Sequence, residues 1–279
     1  MTIIVADTTS SLPLDMAARL GIPMIPQLVI FGENTYRDDT ELTTEDFLQK
    51  LRNSKALPKT AAPPPAMYNP IFEKAAESGE TIIVVAPTGK MSGTLRSAET
   101  ARKDFPNADI RIIDTQTVAG CLGSLVIMAH VMAQKGKTAA EIEDYLHGMI
   151  PRSRTYFVVD TLEYLQKGGR IGAAKALLGE LLQVKPILQI KNGMAAPFAQ
   201  ERTKKRAVNR LIEITCEQVA NNPDAHLCVM HIDANDEADA LSKELSARLG
   251  ILNIPIYLLP PAIVVHAGPK ALAVGFFTR

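Results

Sequence analysis

Tryptophan is missing from the 279 residues, and aromatic residues make up only 5% of them. Aliphatic side chains must therefore fill the interior, and with 47% of the chain hydrophobic there are enough to do so. Net charge is missing as well, since Lys+Arg and Asp+Glu each number 30. That balance argues against a nucleic-acid binder, which needs a basic footprint. Cysteine is scarce: Cys121, Cys216 and Cys228 are far apart, odd in number and form no CxxC. They read as buried thiols in a reducing compartment. His130, His147, His226 and His231 show no HExxH or paired-ligand spacing, so no metal site is expected. The most apolar stretch, residues 121–133, is broken by His130 and is too short to span a bilayer. Residues 1–6 carry no basic region and meet Asp7 too early for a signal peptide. The expectation is a soluble cytoplasmic protein.

A chain of 279 residues suits two domains. From the N-terminus to residue 150 the sequence alternates β-branched runs with helix-forming runs. Strands are expected over 2–6, 23–31, 81–86 and 110–113, and helices over 12–20, 45–53, 66–78, 95–103, 117–134 and 138–149. This alternation predicts a three-layer α/β domain with a parallel sheet over residues 1–150. Pro151-Arg152-Ser153-Arg154 reads as the boundary. Beyond it, strands over 155–159, 226–233 and 255–259 are joined by helices ending near 182, 221 and 249. Asn192-Gly193 sits between two strand-like runs and signals a hairpin. Residues 151–279 are thus expected to form an α/β domain with a mixed sheet. Residues 57–65, with three consecutive prolines, read as an extended loop, and 262–266 as a strand.

The stretch from Thr81 to Ala101 passes from a strand-length run into a helix-forming run, with Ser92, Gly93 and Thr94 at the handover. Free backbone N–H groups and the positive end of the helix dipole meet there, and an anion is welcome. Ser92 could equally serve as the helix cap. The spacing fits neither a GxxxxGK[ST] phosphate loop nor a GxSxG nucleophile elbow.

Other candidates also have two readings. Asp7-Thr8, Asp114-Thr115 and Asp160-Thr161 end strands, where a short acidic side chain more often caps a turn than performs catalysis. His266, before Gly268-Pro269, reads as a packed or capping residue or as part of a site. Arg202 is either one charge of a solvated basic run or a fork turned inward to a carboxylate. The Lys167–Arg170 loop suits a phosphate contact, a docking surface or a plain turn.

Together these segments resemble the DegV family of bacterial lipid-binding proteins. The resemblance rests on Asp7-Thr8-Thr9-Ser10-Ser11-Leu12-Pro13, on Lys59-Thr60 with Pro63, and on Ser92-Gly93-Thr94. It continues through Asp160-Thr161-Leu162, Lys167-Gly168-Gly169-Arg170-Ile171, Arg202 and His266-Ala267-Gly268-Pro269. It implies a two-domain α/β fold and a buried long-chain fatty acid as ligand, with no other cofactor. It also implies a carrier that is not itself an enzyme, and that presents the carboxylate to a separate ATP-dependent fatty acid kinase. By the same resemblance, Thr60, Ser92, Gly93 and Thr94 hold the carboxylate. Arg202 and His266 complete the polar network, and Arg170 lies at the kinase-docking surface.

Two departures stand out. Where the family has Thr-Ser-Gln-Pro-Ser, this chain has Thr60-Ala61-Ala62-Pro63-Pro64, and Lys270 replaces a glycine after Gly268-Pro269. Burying an acyl chain of about 14 methylenes at about 0.8 kcal/mol each yields on the order of 11 kcal/mol gross, before ordering costs. The alternatives are a hydrolase or acyltransferase using Ser92 with His266 as base, and a carrier of another small acidic ligand.

Overall fold

The computed structural model describes residues 2–178, 184–220 and 223–279. Its first part contains β1 (Thr2–Asp7), α1 (Leu14–Leu20), β2 (Met24–Ile25), β3 (Leu28–Phe31), β4 (Asn34–Arg37), α2 (Thr44–Asn53) and β5 (Lys59–Ala61). There follow α3 (Asn69–Ser78), β6 (Thr81–Ala86), α4 (Thr94–Arg102), β7 (Ile110–Asp114), α5 (Ala119–Gln134) and α6 (Ala139–Met149). The second part runs through β8 (Ser153–Val158), α7 (Glu163–Lys167), β9 (Lys185–Lys191), β10 (Met194–Glu201) and α8 (Lys204–Gln218). It ends with β11 (Cys228–His231), α9 (Asn235–Leu249), β12 (Ile256–Leu258), α10 (Pro261–Ala267) and β13 (Leu272–Phe277).

The strands form a four-stranded sheet ordered β2-β1-β6-β7, a six-stranded sheet ordered β10-β9-β8-β13-β11-β12, and a three-stranded sheet ordered β4-β3-β5. The first is parallel throughout. The second is mixed, because only β11 and β12 pair in parallel. Helices cover both faces of the parallel sheet: Leu122 and Leu125 of α5 pack on Ile4, Ile83 and Val85. Phe72 of α3 and Ala98 of α4 pack on Ile82 and Val84 from the other side. Burial on both faces is why these strands read as continuous apolar runs.

Helix α5 is apolar all round because it lies between the two large sheets. At its start the Gly120 N–H points to Met230 Sδ at 2.9 Å, and a Cβ at Gly120 would collide with Cys228 Sγ on β11. On the far face of the mixed sheet, Leu211, Ile214 and Leu241 of α8 and α9 pack on Val229, Val274 and Phe276.

Three segments differ from their sequence expectations. The run over 23–31 is two strands in two different sheets, because Pro26 has no N–H to continue the ladder. Within 57–65, Lys59–Ala61 is a strand: Val29 pairs with Thr60, and the residues on either side, Pro63, Pro64 and Pro65 among them, stay out of the sheet. Residues 262–266 belong to helix α10. Pro261 at its first position needs no donor, and packing of Val264 and Val265 overrides their β preference. The end expected near 182 falls outside the described residues, as does residue 221, and α8 is described to Gln218.

Candidate ligand-binding site

A cavity of about 130 Å³ lies between the carboxyl ends of the parallel strands and one face of the mixed sheet. Ligand sites of open α/β sheets form at this edge, where strand ends leave a crevice. Val118, Phe157, Leu165, Ile190, Ala195 and Ala273 give it largely apolar walls. Its polar contributors are few and include Thr60, Ser92, Arg170 and His266.

Thr60 is carried by β5, whose pairing with β3 fixes its position, and His266 is carried by α10. Their side chains meet at 2.9 Å, Thr60 Oγ1 to His266 Nε2. His266 Nδ1 is buried and has no hydrogen-bond partner among the described residues. Burial pushes the imidazole well below its ordinary range, to about 4, and the nearby Arg170 charge pushes in the same direction. The ring is therefore neutral at neutral pH. It fits its place only because residue 168 is glycine: a Cβ there would collide with His266 Nδ1.

The Ser92 loop follows β6. Gly93, not Ser92, is the first flanking residue of α4, and Ser92 Oγ accepts from the Thr94 N–H at 3.2 Å. The Ser92 and Thr94 hydroxyls are 2.8 Å apart. Gly93 lets the chain at Ala62 approach, with 3.1 Å between an added Cβ and the Ala62 methyl. Thr94 is buried behind this loop. Gln27 Nε2 donates to Thr94 Oγ1 at 2.8 Å and to Asp7 Oδ2 at 2.7 Å. Beside it, Asp38 accepts from Thr8 Oγ1 at 2.8 Å and from the Gln27 N–H at 2.8 Å. Burial raises Asp7 to about 6 and Asp38 to about 7.

Arg170 is turned to the cavity wall. It donates through Nε to the Met91 carbonyl at 3.0 Å and through Nη1 to the Gly168 carbonyl at 2.7 Å. It so ties the neighbour of Ser92 to the neighbour of His266. No carboxylate among the described residues pairs with it. A guanidinium without a carboxylate at the polar end of an apolar cavity favours an anion.

The structure thus brings Thr60, Ser92, Gly93 and His266 to one cavity, with Thr94 directly behind. Arg202 is not among them: it follows β10, is exposed and does not line the cavity. Arg170, which the sequence reading placed at a docking surface, lines the cavity. Ser92 and His266 share no hydrogen bond, since His266 Nε2 is taken by Thr60 and Ser92 Oγ by Thr94, so no nucleophile–base pair is formed. Asp7 and Asp114 each accept the N–H two residues on, as caps do. The sequence reading missed Gln27, a lone polar residue within the apolar run around Pro26, and missed Asp38; it quoted Gly168 in a glycine-rich loop without giving it a role. Nothing in local spacing marks Asp38. No group of three or more His, Cys, Asp or Glu suited to a metal occurs among the described residues.

The fold and cavity define a class: a mixed α/β protein enclosing an apolar chamber that ends in hydroxyl, imidazole and guanidinium groups. The chain belongs to the DegV family, described as uncharacterised proteins, whose profile matches residues 1–279. DegV of Bacillus subtilis is 32% identical over 272 residues, covering 97% of each chain. A DegV domain-containing protein of Streptomyces coelicolor is 34% identical over 278 residues, covering 99% of this chain and 98% of its own. Among solved structures, a fatty-acid-binding DegV family protein of Thermus thermophilus superposes with a TM-score of 0.90 at 29% identity, covering 100% of this chain and 99% of its own. The B. subtilis DegV structure, a fatty acid binding protein, superposes at 0.86 with 30% identity and the same coverage.

Proposed function

We propose that this protein binds a long-chain fatty acid, with the carboxylate held by Thr60, Ser92, His266 and Arg170 and the acyl chain in the apolar part of the cavity. The observation that carries this reading is the placement of Arg170, which faces an apolar chamber and has no carboxylate partner among the described residues. A buried carboxylate is very costly unless charge-assisted hydrogen bonds receive it, and this end of the cavity offers such donors. The fatty-acid-binding relatives support the same reading.

We further propose that the protein is a carrier, not an enzyme. It presents the carboxylate to a separate ATP-dependent kinase, where a carboxylate oxygen attacks the terminal phosphorus of ATP and ADP leaves. Ser92 and His266 are not paired for covalent catalysis, which favours the carrier over the hydrolase reading. Three free thiols suit a reducing compartment, and no described helix is long and apolar enough to cross a membrane. Both features fit a cytoplasmic carrier. The test is titration of delipidated protein with oleic acid: saturable binding with a raised melting temperature is expected, and neither signal would occur if the reading were wrong. For the kinase step, the loaded protein plus ATP and a fatty acid kinase should yield hydroxylamine-trappable acyl phosphate.

A further inference from the structure

The hairpin of β9 and β10 supplies part of the cavity wall, and its tip is fastened to the loop that precedes Ser92. Asn192 and Gly193 make the tight turn, with φ of 52° and 76°. The carbonyls of such a turn lie outside the hairpin ladder and need donors from elsewhere. Thr88 Oγ1 donates to the Gly193 carbonyl at 3.0 Å, and Lys90 Nζ donates to the Asn192 carbonyl at 2.9 Å. Thr88 is fully buried, and a Cβ at Gly193 would fall 2.3 Å from its hydroxyl oxygen. Lys90 is exposed. We propose that the fatty acid enters and leaves the cavity through the seam under this hairpin tip, and that Thr88 and Lys90 are the latch that closes it. The inference rests on the fatty-acid reading of the same cavity.

The topology makes the hairpin the moving side. β8 pairs with β9 through Ile187, Leu188 and Gln189, and β10 is the edge strand of its sheet. Among the described residues, residues 190–195 therefore have no neighbouring strand except each other. The ladder shifts register between Pro197 and Ala199, beside the level of Gln189, and a strand bends most readily at such a bulge. The overhanging length thus begins where the hinge lies. It carries Ile190 and Ala195, which line the cavity, and Gly172 meets the Ala195 backbone without a side chain.

The loop across the seam is the fixed side. The Thr88 N–H donates to the Thr117 carbonyl at 2.9 Å, the Ser92 N–H to the Thr88 carbonyl at 3.1 Å, and Arg170 Nε to the Met91 carbonyl at 3.0 Å. Pro87 and Met91 of this loop line the cavity. The other walls are tied more firmly. Thr60 is bonded to His266, α10 is anchored by Val264 and Val265, and Gly120 at the start of α5 has no room for a side chain against β11. Opening the tip breaks two hydrogen bonds whose groups water can then reach, which is a modest cost. The latch is made outside the ligand's contacts, so it closes the full and the empty cavity alike. Weakening it therefore speeds entry and release by the same factor and leaves the affinity unchanged.

The experiment is stopped-flow fluorescence of cis-parinaric acid, with entry read on mixing and release read by displacement with excess oleic acid. It compares intact protein with Thr88→Val, Thr88→Ser and Lys90→Met, each checked by thermal melting. Thr88→Val should raise both rate constants about tenfold and keep the dissociation constant within about twofold, and Lys90→Met should raise both about threefold. Thr88→Ser, which keeps the hydroxyl, should match intact protein. A second arm joins Lys90→Cys to Asn192→Cys with a short bis-methanethiosulfonate in a Cys216→Ser background, because Cys121 and Cys228 are buried. Exchange should slow at least about tenfold and recover when a reductant cleaves the bridge. Unchanged rates in Thr88→Val and Lys90→Met, or a gain confined to release with a matching loss of affinity, would overturn the proposal. If Thr88→Val does not fold, equal exchange in bridged and cleaved protein would overturn it instead. Absence of binding by intact protein would contradict the fatty-acid reading itself, and this inference with it.

Discussion

Thr60 Oγ1 and His266 Nε2 stand 2.9 Å apart although 206 positions separate them in the chain. One residue is on an edge strand of the small sheet, the other on a short helix that packs against that sheet. The neutral ring and the hydroxyl form a pair that can pass a hydrogen bond to an anion. Thr60→Val keeps the side-chain shape and removes the hydroxyl. Fatty acid affinity should fall by at least about tenfold, the usual value of a hydrogen bond to a charged group. Fluorescence titration measures the loss, and melting should change by only a few degrees.

Gly168→Ala tests how the imidazole is held. The added methyl would collide with His266 Nδ1 and with the Tyr164 carbonyl. The ring must turn away from Thr60, with an expected stability loss of about 1–3 kcal/mol. Chemical denaturation reads that loss, and ligand affinity should fall with it. Gly169→Ala one residue later meets no neighbouring atom, although its φ of 73° adds backbone strain. It should cost stability while leaving ligand affinity nearly unchanged.

The two arginines should behave differently. Arg170 lines the cavity and Arg202 is exposed outside it. Arg170→Ala should weaken fatty acid binding by roughly tenfold or more, through loss of a charge-assisted contact. Arg202→Ala should leave binding within about twofold. Equal losses in the two variants would mean that Arg202 reaches the ligand after all.

Stability should decline gently above neutral pH. Asp7 and Asp38 are raised from 3.8 to about 6 and about 7, so they support the fold most fully below 3.8 and lose that support as pH rises through these values. His266 is lowered from 6.5 to about 4 and acts oppositely: its support is present above 6.5 and lost as pH falls through 4. Between these limits the effects oppose one another. From 6.5 to about pH 8 the carboxyls lower stability by about 1 kcal/mol, and the imidazole, still half protonated in the unfolded chain at 6.5, offsets about 0.4 kcal/mol of that. Melting temperature should drop by roughly 1 °C over that range, and Asp38→Asn should remove the drop.

Local signals carried much of the architecture. Asn192-Gly193, both at positive φ, makes the β9–β10 hairpin that its dipeptide announces, and the β-branched runs of β1, β6 and β7 do form a parallel sheet. Ser92 and Gly93 were legible as a turn between a strand and a helix, because the β-branched run before them and the helix-forming run after them are local signals. What failed depended on partners distant in sequence. Lys59–Ala61 is a strand only because β3 lies beside it, and α10 is a helix only because Val264 and Val265 are enclosed by the core. Arg170 could not be told from Arg202 by composition, since only the close approach of Gly168 to His266 aims the loop inward. Gln27 and Asp38 have no local pattern at all; their roles arise where two sheets meet.

The most direct test is mass spectrometry of an organic extract of the purified, denatured protein after expression in bacteria. Close to one equivalent of a long-chain fatty acid is expected, and Arg170→Ala and Thr60→Val should retain clearly less. An extract without lipid, from protein that also fails to bind added oleic acid or to melt higher in its presence, would contradict the fatty-acid reading of this cavity.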